Sequence, residues 1–135
     1  MMPNRFVHRL AMASLASAAI LAAPASAAGK AEMTIATFLA KADALKAKGP
    51  LALMSPDIGL LKGEVNTAAA RYKARLEADK KAGRPPHSCP AKGAKVSSDE
   101  FLTHLRSYPA ARRPSVTVGV AFDSFMVKRF PCPAR

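Results

Sequence analysis

Cys89 and Cys132 are the only cysteines of the 135-residue chain. His87 stands beside the first of them in His87-Ser88-Cys89, and His104 lies between the two. These residue types admit three chemistries: a metal centre, a thiolate nucleophile with a histidine base, or a disulfide. A zinc centre needs a close pair of cysteines or suitably spaced histidines, and neither spacing is present. A cysteine nucleophile needs a thiolate held reduced beside its base. The choice therefore turns on the compartment in which the chain works.

The N-terminal residues answer that question. Arg5, His8 and Arg9 precede an apolar run from Leu10 to Ala23, and Ala25-Ser26-Ala27 fits a small-x-small cleavage site. Residues 1–27 read as a cleaved signal peptide and residues 28–135 as one mature domain. The apolar run is shorter than the about 20 residues a spanning helix requires, Pro24 interrupts it, and no second run follows, so no membrane span is expected. A periplasmic or secreted protein meets oxidising conditions, under which a lone cysteine pair closes on itself. A structural Cys89–Cys132 disulfide is thus predicted, with no metal and no cofactor. Closing a loop of roughly 43 residues would restrict the unfolded chain by about 4 kcal/mol in the entropy model.

Other chemistry finds little footing. No nucleophile elbow, phosphate-cradling glycine loop or zinc-protease helix motif occurs, and an enzyme is not expected. Asp57 and Asp99 fall where first helical turns want carboxylates, and Glu77 is spaced to pair with Lys73 and Lys81 on a helix surface. His104 reads as a neighbour of an apolar helix face and His87 as a loop residue.

Charge is the strongest compositional feature. The chain carries a net charge of +12, and loss of Arg5 and Arg9 with the leader removes two of these charges. Such a field favours an acidic partner. Nucleic acid is not expected, because export separates the chain from it and no exposed aromatic residues interleave with the basic ones. The expected partner is another protein with an acidic surface. Self-association into a homodimer is left open by the residues.

Four helices must position these groups. Ile35, Phe38, Leu39, Ala42 and Leu45 recur at helical spacing between Thr34, a cap, and the stop at Gly49-Pro50. Ser55-Pro56-Asp57 opens a long helix whose face is Ile58, Leu61, Val65, Ala68, Tyr72 and Leu76, ending at Gly83. Gly59 and Gly63 each cost such a helix about 1 kcal/mol against alanine. The proline-rich stretch Arg84 to Val96 is a loop with Cys89 in its middle. Within it Arg84, His87, Lys92 and Lys95 are the candidate partner contacts, since loops on a rigid scaffold carry recognition.

A capping box, Ser97 to Glu100, starts a short helix with Phe101, Leu102, Leu105 and Tyr108 inward, and Pro109 ends it. Ser115 is the expected cap of a last helix bearing Val118, Phe122, Phe125 and Met126. Val116, Val118 and Val120 alternate as a strand would, but a lone strand leaves its backbone groups without partners, so helix is preferred. The expected fold is all-α, a small bundle of about four helices with one disulfide.

The entry Cys89-Pro90, the capped helix reaching Leu105, Tyr108 and Pro109, and the closing Phe130-Pro131-Cys132 together resemble the C-terminal half of the Rap/Tai immunity proteins. Those are small exported helical proteins that protect a bacterium from peptidoglycan-cutting effectors delivered by type VI secretion. The resemblance spans His87 to Cys132; Thr34 to Pro86 has no cysteine, where family members commonly carry another pair. It implies the same Cys89–Cys132 link and a binding role against a secreted effector enzyme. The rival expectation is a general envelope protein, structural or chaperone-like, that binds anionic partners.

Overall fold

Helix start signals and apolar spacing give the same element order that the computed structural model describes over residues 31–134; the leader read at residues 1–27 lies outside the described residues. Helices α1 (Ile35–Ala47), α2 (Pro56–Lys81), α3 (Ser98–Ser107) and α4 (Val118–Arg129) form the bundle, with short 3-10 turns at Gly49–Met54 and Ala110–Arg112. No strand occurs among the described residues, and the fold is all-α.

α4 is the centre of the bundle and touches each of the other helices. Val118, Gly119, Ala121, Phe122, Phe125 and Met126 are all buried, so this helix is apolar on most of its circumference. α1 adds Ile35, Phe38 and Leu39, α2 adds Leu61, Ala68 and Tyr72, and α3 adds Phe101 and Leu105. With no tryptophan available, aromatic contacts rest on phenylalanine. Phe101 meets Phe122 and Phe125 edge-on, both with ring centroids at 5.6 Å, and Tyr72 meets Phe122 at 6.0 Å. These are the geometries that the ring quadrupole favours.

The helix ends follow local chemistry, with two corrections. Ser97 accepts from the Glu100 amide and Glu100 reaches back to the Ser97 amide, completing the expected capping box. Ser115 does not cap α4. Its hydroxyl donates to the Arg112 carbonyl, while Thr117 accepts from the Val120 amide and starts the helix at Val118. Thr117 is extended there, in an isolated antiparallel bridge with Thr34, and Val116 forms a bend just before it. The alternating valines thus mark a two-residue pairing at the head of a helix.

Ser55 holds the N-cap position of α2 but its side chain makes no capping bond. Lys48 Nζ takes that oxygen at 3.3 Å. Asp57 in the first turn of α2 is bound by Lys41 Nζ of α1 at 2.7 Å, and this hydrogen bond holds the carboxyl below its usual range. Glu77 forms no ion pair among the described residues, against the expected pairing with Lys73 or Lys81.

Candidate functional site

The loop from residue 84 to residue 96 is fastened at several points. Cys89 and Cys132 are bonded, with 4.8 Å between their Cα atoms. The Cys89 amide donates to the Phe130 carbonyl at 2.8 Å. Ser88 is buried, and Tyr72 Oη donates to its hydroxyl at 2.6 Å. His87 Nδ1 lies 3.0 Å from the same phenol oxygen. With its one proton spent on Ser88, Tyr72 accepts from a protonated Nδ1 of His87. Burial raises the Tyr72 pKa, so the phenol keeps its proton.

The sequence-predicted contacts are distributed around this anchor. Lys92 and Lys95 are exposed, as is Arg84, which bonds Asp79 through Nε at 2.9 Å. His87 is half-buried against Tyr72 and helps to hold the loop. Between the loop and the C-terminal half of α2 runs an open groove of about 570 Å³, lined by Leu76, Lys80, Gly83, Pro86 and Pro90 beside Cys89. Its floor is apolar, and Glu77, Lys80 and Arg84 give it a rim of mixed sign.

His104 belongs to a separate cluster that spacing alone does not reveal. His104 Nε2 lies 2.9 Å from Ser124 Oγ, and Tyr108 Oη lies 2.6 Å from the same oxygen. Ser124 donates its only proton to the Ala121 carbonyl at 2.9 Å. It must therefore accept from both partners, which places a proton on His104 Nε2. A serine whose proton goes to a helix carbonyl and whose histidine is a donor is not an activated nucleophile. Burial lowers the His104 pKa and favours the neutral ring that this arrangement uses.

Charge is divided in a regular way. Among the described residues six ion pairs use Glu32, Asp43, Asp57, Asp79, Glu100 and Asp123, and five of the six cations are arginines. Arg71 reaches Glu32 by crossing α4 at Gly119, where a β-carbon would strike its guanidinium. Arg106 holds Asp43 at 2.7 Å, and that hydrogen bond lowers the carboxyl pKa. Among the described residues Lys46, Lys48, Lys62, Lys80, Lys92 and Lys95 form no ion pair. Arg112 and Arg113 are likewise outside any ion pair, so the net positive charge rests mostly on lysines, whose strongly hydrated ammonium groups suit a wet, salt-sensitive contact.

No helix among the described residues is long and apolar enough to cross a membrane. The disulfide agrees with an oxidising compartment. No protein-family model, curated protein or solved structure matches the chain.

Proposed function

We propose that the chain is an exported, periplasmic binding protein of the immunity type, which occupies the surface of a peptidoglycan-cutting effector and blocks it. The observation that carries this reading is the fastened loop at residues 84–96. Disulfide, backbone bond and the Tyr72 cluster pre-order it, so association loses little conformational freedom in the loop. Lys80 lines an apolar groove beside the loop and Lys92 and Lys95 are exposed on the loop itself, a basic surface that would suit an acidic cleft rim. The sequence likeness from His87 to Cys132 points to the same class.

Capture from periplasmic extract with the oxidised protein tests the reading. One peptidoglycan hydrolase recovered in stoichiometric amount, whose activity the protein abolishes, is the expected result. Association should slow with added salt, since rim charge acts mainly on the on-rate. Recovery of a heterogeneous set of polyanions instead selects the second reading, a general envelope protein, which the surplus of unpaired lysines also favours. Recovery of neither rejects both.

A further inference from the structure

The 3-10 turn Gly49–Met54 joins α1 to α2 at one end of the bundle and exposes three large apolar side chains. Leu51 is 70% exposed, Leu53 82% and Met54 86%. The next most exposed large apolar side chain, Val120, is isolated from them in sequence on α4. A 3-10 turn eclipses residues three apart, so Leu51 and Met54 share an edge with Leu53 beside them. Single exposed leucines are ordinary, but three neighbouring large side chains on one convex turn are a feature that calls for a covering surface.

The unpaired charges flanking this turn are cationic. Lys46 lies in the last turn of α1, and Lys48 at the base of the 3-10 turn directs Nζ to Ser55 Oγ. The acids of the same region are already engaged, Asp57 by Lys41 and Asp43 by Arg106. The Ser55 amide closes the turn on the Ala52 carbonyl at 2.9 Å, which lessens the backbone cost of leaving water.

From this placement we infer that the Leu51–Met54 turn is a peripheral docking tip for anionic phospholipid bilayers. Leu51, Leu53 and Met54 enter the boundary between headgroups and acyl chains, and Lys46 and Lys48 meet the phosphate layer. The occupant is chosen on charge and shape. A convex apolar tip needs no matching cavity in a fluid interface, and two unpaired lysines beside it, with the neighbouring acids held in ion pairs, complement a surface that is anionic throughout. The contact does not depend on the immunity reading, because the tip is formed by the α1–α2 connection and the fastened loop by residues 84–96.

Vesicle co-sedimentation tests the inference on the oxidised protein as recovered from expressing cells, with its N-terminus checked by mass. Phosphatidylglycerol-containing vesicles should retain it about tenfold better than phosphatidylcholine vesicles at low salt. Replacing Leu51, Leu53 and Met54 by serine should lower that retention about tenfold, with unfolding unchanged because these side chains lie outside the core. Lys46→Gln with Lys48→Gln should remove most of the preference for anionic vesicles. Since the chain has no tryptophan, Leu53→Trp provides one reporter whose emission should shift to the blue on phosphatidylglycerol vesicles alone. Equal retention of the triple-serine variant and the parent would overturn the inference. So would a triple variant that loses a protein partner while the parent ignores both vesicles, since the tip would then be a protein contact.

Discussion

Thr34 and Thr117 face each other in an antiparallel bridge, and each caps the helix that begins at the next residue. The bridge solves the problem of two helix starts together. The Ile35 amide donates to the Val116 carbonyl at 2.9 Å, and the Val118 amide donates to the Met33 carbonyl at 2.8 Å. Each helix therefore satisfies one otherwise unpaired first-turn donor on the segment preceding the other. Thr34→Ala and Thr117→Ala should each lower stability by about 1 kcal/mol, and serine at either position should restore most of it. Urea denaturation midpoints measure this. Alanine variants as stable as the parent would mean that the backbone bridge alone sets both starts.

The disulfide ties two segments 43 residues apart. Its main effect is to restrict the unfolded chain, and replacing Cys89 and Cys132 together by serine should cost about 4 kcal/mol. Thermal unfolding by circular dichroism should show a large drop in midpoint. Both sulfurs are in exposed residues outside the central core, so the helical signal below the transition should persist. Loss of that signal at low temperature would show instead that the bond is needed to form the bundle.

Much of this fold is visible in residue spacing because most helices bury one stripe. Ile35, Phe38 and Leu39 on α1 and Phe101 and Leu105 on α3 are core residues at the spacing that marks them. α4 is harder to read because burial on most sides erases the stripe, and Thr117 within its valine-rich entrance is extended in the bridge. Ser115 and Thr117 are both plausible caps, and only the pairing with Thr34 selects the second. The candidate loop was legible through its prolines and Cys89. The Tyr72–Ser88 and His104–Ser124 contacts were not, because they join residues 16 and 20 positions apart through packing that no local pattern encodes. The exposed turn at Leu51–Met54 carries no sequence signal for a related reason: nothing local distinguishes an exposed leucine from a buried one.

His104 gives the bundle a pH response with a definite sign. Its folded pKa lies below the ordinary 6.5, chiefly through burial, with Lys128 acting in the same direction. The unfolded chain therefore binds more protons in that region. The contribution is full above pH 6.5 and is lost as the pH falls through the folded value. Asp43, Asp57 and Glu100 have lowered values instead, and their contributions fade only as the pH drops below the ordinary 3.8 of the aspartates and 4.5 of the glutamate. Denaturation midpoints recorded downward from neutral pH should fall first near the histidine range. His104→Gln should flatten that first step and leave the acid one. An unchanged first step in the variant would assign it to another group.

Tyr72 and Ser88 test whether the fastened loop depends on its buried polar anchor. Tyr72→Phe removes the donor to Ser88 and the acceptor for His87 while keeping the ring against Phe122. Ser88 then remains buried without that partner, at an expected cost of about 1–3 kcal/mol. Adding Ser88→Ala removes the stranded hydroxyl as well, so the double variant should be less destabilised than the two single losses summed. Hydrogen exchange gives the local readout. Amides of residues 87–90 should exchange faster in Tyr72→Phe, while those of α3 and α4 should change only by the global loss of stability. Uniform acceleration across the chain would mean that the phenol supports the bundle as a whole, and the pre-ordering attributed to this contact would have to rest on the disulfide and the Cys89–Phe130 bond.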